Sequence, residues 1–81
     1  MKVSVQLFAV ARQLAGRDVV ELELADHATV ADLRQALSRE VPPLAESLPR
    51  MLFAVNQEYA PDTLRVPPHA EIACIPPVSG G

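Results

Sequence analysis

The sequence predicts an α+β domain, a mixed sheet of four to five strands packed on one main helix. Three patterns in its 81 residues carry that expectation. Two short segments near the start alternate apolar and polar residues, the period of a half-buried strand. One segment, from Thr29 to Val41, repeats apolar residues every three or four positions, the period of an amphipathic helix. Two apolar-dense segments follow, and a proline pair closes the second.

In the first strand Val3, Val5 and Leu7 alternate with Ser4 and Gln6. Phe8 then falls on the Ser4 and Gln6 side, where a solvated strand face should be polar. Ala11 to Gly16 reads as a short helical turn with Gly16 as its stop. Val20, Leu22 and Leu24 alternate with Glu21 and Glu23, and two strands this close in sequence pair as an antiparallel hairpin. Thr29 opens the main helix: its hydroxyl can cap the first turn, and Asp32 supports the free N–H groups there. Val30, Leu33, Leu37 and Val41 line one face, and Arg34, Gln35, Ser38 and Arg39 are expected to point away. Pro42 disfavours helical geometry at Val41 and ends the helix.

Residues 43–49 read as a loop with one helical turn through Leu44 and Leu48. Met51 to Val55 is dense in apolar residues and is expected as a central strand. Asn56 to Thr63 reads as irregular, with Pro61-Asp62 as a turn pair and a short extended piece around Leu64. Glu71 to Ile75 is the last strand. Pro76 and Pro77 cannot donate ladder hydrogen bonds, so the sheet stops there. A helix that follows a hairpin and has one apolar face packs across the sheet. The order strand, strand, helix, strand, strand is that of a β-grasp fold. The expected division is a β-grasp domain over residues 1–75 and an extended tail over 76–81.

Composition narrows the function classes. The seven basic residues are scattered and the net charge is −3, with Phe8, Phe53 and Tyr59 the only aromatics. Phosphate contacts and base stacking both need more than this, which argues against a nucleic-acid partner. No apolar run approaches a membrane span, and the first residues lack a signal-peptide core, so the expected location is the cytoplasm. Cys74 is the single cysteine, which excludes an internal disulfide and a multi-cysteine metal site. Its strand position reads as a buried, inert thiol. His27 and His69 have no partners at metal or catalytic spacing and read as surface residues. Asp18, Glu21, Glu23 and Asp26 read as a solvated acidic strand face.

The chemistry concentrates at the end, where Pro76-Pro77-Val78-Ser79-Gly80-Gly81 closes the sequence. The six residues after Ile75 reach at most about 20 Å from the domain. The proline pair starts this segment stiff and extended, and Gly80 and Gly81 make its tip slim. A terminal glycine carboxylate fits a narrow pocket. It is ionised at neutral pH and a poor electrophile, so it must be activated, for example as an acyl-adenylate. This chain has no glycine-rich phosphate loop of its own. ATP is therefore expected to be used by an activating partner, and no cofactor or metal is expected on this chain.

Several blocks together resemble the small-subunit family of molybdopterin synthase. They are Leu7-Phe8-Ala9 with Arg12 and Leu14-Ala15-Gly16, Thr29-Val30-Ala31-Asp32-Leu33, Ala54-Val55-Asn56-Gln57-Glu58-Tyr59, and the last six residues. The resemblance implies a ubiquitin-like β-grasp fold and a sulfur-carrier role without catalysis by the chain alone. It implies that Gly81 is adenylated by an enzyme of the ubiquitin-activating kind and then carries a thiocarboxylate, with Gly80 allowing passage. The tail would enter the active site of a large subunit and give sulfur to a pterin precursor, forming the molybdopterin dithiolene. The assembly implied is a heterotetramer, and a sulfur-donor system is a further partner. The partner-binding residues expected are Phe8, Arg12, Ile75, Pro76, Pro77, Val78 and Ser79. Phe8 is either a core residue in a shifted register or part of an exposed apolar patch, and Arg12 either a solvated charge or an interface ion pair.

Two departures from the family stand out: Cys74-Ile75 where aromatic residues often precede the proline pair, and His69-Ala70-Glu71 where the turn is often Gly-Asp-Glu. A ubiquitin-like protein modifier and a thiamine-pathway sulfur carrier use the same terminal chemistry and remain alternatives.

Overall fold

The computed structural model describes residues 1–77; four of the expected site residues, Val78, Ser79, Gly80 and Gly81, lie outside the described residues. In chain order the elements are β1 (Lys2–Leu7), α1 (Val10–Ala15), β2 (Val19–Glu23), α2 (Val30–Glu40), β3 (Leu52–Val55), β4 (Glu58–Tyr59) and β5 (Glu71–Ile75). The strands form one sheet in the order β2-β1-β5-β3-β4. β1 and β5 run parallel, and the other neighbours are antiparallel. The expected hairpin of the first two strands is present, with Val3 opposite Leu22 and Val5 opposite Val20. This is a β-grasp architecture.

One face of the sheet is closed by α2. Thr29 Oγ1 accepts from the Asp32 backbone N–H at 3.3 Å, and the Asp32 carboxylate accepts from the Thr29 N–H at 2.9 Å. Two further N–H groups at this helix start, those of Val30 and Ala31, donate to the carbonyls of Leu64 and Asp62. The helix start therefore leaves few donors unpaired. Val30, Leu33 and Leu37 are fully buried and meet Val5, Val20 and Phe53 in a single core. Each such side chain contributes about 1.5–3 kcal/mol by leaving water. The helix stops at Glu40, and Val41 turns out of helical geometry with φ −128°, as Pro42 demands.

Four expectations need correction. The middle strand is β5, not β3; β3 lies between β5 and the short β4. The stretch after Val55 is not wholly irregular, because Asn56 and Gln57 make a two-residue turn, both with positive φ, into β4. That turn type usually advertises itself with glycine, and here it has none. The loop after α2 holds two 3-10 turns, Pro42–Leu44 and Leu48–Arg50, rather than one helical turn. Leu44 and Leu48 are buried, as their spacing in an apolar pair suggests.

Arg34 gives the fourth correction, since it does not point away. Its guanidinium donates to the carbonyls of Leu48 and Met51 and, at 2.8 Å, to the Asp62 carboxylate. It also lies over the Phe53 ring, 4.9 Å from the centroid. A planar cation with five donors can tie loop carbonyls to a helix in this way, and the spacing of residues in α2 carries no trace of it.

Candidate functional site

Among the described residues no layer covers the face of the sheet away from α2. Its composition follows from register, because residues paired across strands share a face. Glu21, Ser4 and Glu71 form one row. Val19, Gln6, Ala73, Ala54 and Tyr59 form the next. Ile75 and Leu52 form a third, and Phe8 extends it on the other side. The Phe8 N–H donates to the Cys74 carbonyl at 3.3 Å, which carries the β1–β5 pairing one residue past Leu7.

The face is therefore polar and acidic at one end and apolar at the other. Phe8 is 45% exposed, Leu52 43% and Tyr59 68%, and Ile75 is half-buried. Phe8 is thus a surface residue and not part of the core. Its position is set by a tight turn, in which the Phe8 carbonyl accepts from the Ala11 N–H at 3.0 Å. Ala9, inside that turn, has φ 51° and ψ −125°, a conformation usually left to glycine. The turn swings the chain into α1 and leaves the Phe8 ring at the rim.

The tail root lies at the same end. β5 ends at Ile75, Pro76 is half-buried and Pro77 exposed. The two prolines border a groove of about 330 Å³ with Val10, Ser47, Arg50 and Met51. Arg12 is exposed near Phe8, and its Nε lies 3.9 Å from an Asp18 carboxylate oxygen. With both groups largely in water, that pair contributes little to stability.

Cys74 leaves the sheet on the opposite face. It is fully buried, and its Sγ lies 3.4 Å from Met51 Sδ. Burial pushes the thiol up to about 11, with the Arg34 charge acting weakly the other way. A thiol so placed is almost wholly protonated at neutral pH and is no nucleophile. His27 and His69 are exposed. Among the described residues no three His, Cys, Asp or Glu side chains gather as a metal site. Nor is any helix there long and apolar enough to cross a membrane.

Leu52, Tyr59, Val19 and Ala73 were not singled out from sequence. Their common face depends on the pairing of segments far apart in the chain.

An open β-grasp face beside a Pro-Pro exit can be set against known proteins. The model of the ThiS family matches residues 5–81. The chain belongs to the ThiS family. The molybdopterin synthase sulfur carrier subunit of Arabidopsis thaliana is 35% identical over 81 residues, covering 100% of this chain and 84% of that protein. The protein of the same name from Dictyostelium discoideum is 37% identical over 78 residues, covering 93% of this chain and 91% of that one. Among solved structures, SAMP1 of Haloferax volcanii superposes with a TM-score of 0.87 at 28% identity, over 100% of both chains. The Arabidopsis and Dictyostelium relatives are both named as sulfur carrier subunits.

Proposed function

We propose that this chain is the sulfur-carrier subunit of a molybdopterin synthase. Gly81 is adenylated at the expense of ATP by an activating enzyme. A sulfur donor then displaces AMP and leaves a thiocarboxylate. The open face docks on a large subunit, the tail reaches that subunit's active site, and the sulfur passes to a pterin precursor as the dithiolene forms. The chain's side chains supply no acid or base to these steps; its nucleophile is the Gly81 carboxylate and then the sulfur that replaces one of its oxygens. The chain also supplies a docking face, a stiff root and a reactive end.

The observation that carries the reading is the shared end of the sheet. Phe8, Ile75 and Leu52 form the apolar part of the open face, and Pro76 and Pro77 leave from that same end. A partner that covers the apolar rim therefore stands where the tail departs. The shared name of the plant and slime-mould relatives supports the carrier role. Mass spectrometry after incubation with ATP, activating enzyme and sulfur donor tests it. Exchange of one terminal oxygen for sulfur is the expected result.

A second reading has one observation behind it. The Haloferax volcanii neighbour is a small archaeal modifier protein, and a modifier would use the same activated terminus. The same spectra decide: attachment of Gly81 to lysines of other proteins, without a stable thiocarboxylate, favours the modifier.

A further inference from the structure

Six of the seven basic residues are arginines, and Lys2 is the single lysine. That ratio matters beside an acyl group activated at the terminus. A free amine attacks such a group, whereas an arginine guanidinium stays protonated and does not. The nucleophiles that a population of identical chains offers to its own activated ends can therefore be taken one by one.

Cys74 is buried and protonated. His27 and His69 are exposed, but an acyl imidazole is itself an acyl donor and passes its load on to water or an amine. The terminal ammonium of Met1 donates to the Leu24 carbonyl. It also lies 3.3 Å from a Glu23 carboxylate oxygen and 3.5 Å from one of Asp26. Three acceptors thus occupy its three N–H groups, and it has no lone pair to offer. Lys2 is different. It is exposed, at the start of β1 on the open face. Glu23 lies opposite it on β2, yet among the described residues no carboxylate pairs with it.

We propose that Lys2 is an acceptor site for the activated Gly81 of a second copy of this chain, which joins the two copies by an isopeptide bond. The inference rests on the activation of Gly81 proposed above. The Lys2 amine attacks the acyl carbon of the Gly81 adenylate. A C–N bond forms, the bond from that carbon to the phosphate oxygen breaks, AMP leaves with the electron pair, and the surplus amine proton passes to water. The donor is a second copy because a chain cannot close on its own Lys2. β1 and β5 run parallel with Leu7 opposite Cys74, so the tail leaves at the end of β1 far from Lys2. Lys2 lies about 20 Å of strand back from the level of Ile75. The residues after Pro77 reach at most about 13 Å, and a lysine stem adds roughly 6 Å. Pro76 and Pro77 lead the other way, beside Val10 and Arg50. The same separation leaves the acceptor unspent. Its Phe8 rim and its own terminus stay clear of the new bond, so it can be activated in turn and a chain of more than two copies can grow.

The test incubates the full chain with ATP and the activating enzyme, without a sulfur donor, and follows pyrophosphate release, gel mobility and peptide mass spectra. The wild type is expected to form a ladder of dimers and higher species, with the Gly81 carbonyl on the Lys2 amine. Lys2→Arg and Lys2→Gln are expected to lose the ladder, with pyrophosphate release and thermal melting unchanged. A mixture of Lys2→Arg with a Gly81-deleted chain is expected to stop at the dimer, since one supplies only the acyl end and the other only the amine. Pyrophosphate release without a ladder, or a ladder that persists in both Lys2 variants, overturns this inference and leaves the activation of Gly81 standing. No pyrophosphate release from the wild type overturns that activation and this inference with it.

Discussion

Phe8 and Cys74 touch through their backbones and diverge in everything else. The Phe8 N–H donates to the Cys74 carbonyl, yet one side chain stands in water and the other is sealed in the core. Phe8→Ala is therefore expected to weaken large-subunit binding while changing stability by no more than about 0.5 kcal/mol, as for other surface sites. Calorimetric binding and thermal melting of the same sample check both halves. Cys74 makes a prediction of opposite kind. Its folded thiol titrates near 11 against 9.0 for a free thiol, so the fold favours the protonated form. Stability from this group is complete below pH 9 and falls as pH rises toward 11, by on the order of 2 kcal/mol in all. Urea melts from pH 8 to 11 should show that fall in the wild type and lose it in Cys74→Ala. The inertness of Cys74 was legible in the sequence, because a strand alternation places a small apolar residue inward whatever its chemistry. The exposure of Phe8 was not, because it depends on where β1 ends and on the strained turn at Ala9.

Elements were legible wherever a local pattern specifies them. The capping pair Thr29 and Asp32, the Leu33 and Leu37 spacing and the stop at Pro42 all act within one helix, and α2 forms accordingly. The strand alternations of β1, β2 and β5 hold for the same reason. Register and order are different in kind. β5 enters the sheet between β1 and β3 because of hydrogen bonds between segments as far apart as Ser4 and Glu71, and no window of sequence contains both. β4 was hidden because its turn uses Asn56 and Gln57 rather than glycine. Arg34 was hidden because a cation at a helix position near the core reads as a solvated one. The turn into β5 yields a stability prediction. His69 has φ 61° and is exposed, so its side chain pays for a left-handed backbone without burying surface. His69→Gly is expected to stabilise the chain by about 1 kcal/mol, read as a rise in melting temperature. A fall would mean that His69 makes a contact that outweighs the strain.

At the scale of the molecule, body and tail divide the labour. Among the described residues the buried core runs from Val3 to Cys74, ahead of the proline pair. The reading of the tail rests on the residues themselves: two prolines that cannot continue a ladder and two glycines that leave the carboxylate uncrowded. The open face was only half legible, since its rows exist only once β1, β5 and β3 are in register. This separation fixes what removal of the last residue should do. Gly81 has no side chain to bury, so on its deletion melting temperature and large-subunit docking through Phe8 and Ile75 should stay close to those of the full chain. The deletion shortens the reach by about 3.3 Å and puts Gly80 at the end in place of Gly81. The acyl carbon then falls short of the activating enzyme's nucleotide by one residue, and near-attack geometry tolerates errors of about 1 Å at most without a large loss of rate. The expected result is loss of the terminal oxygen-to-sulfur exchange and of sulfur transfer, with thermal melting unchanged. Normal product formation by the shortened chain would show that the reactive end is held by the body rather than delivered by the length of the tail.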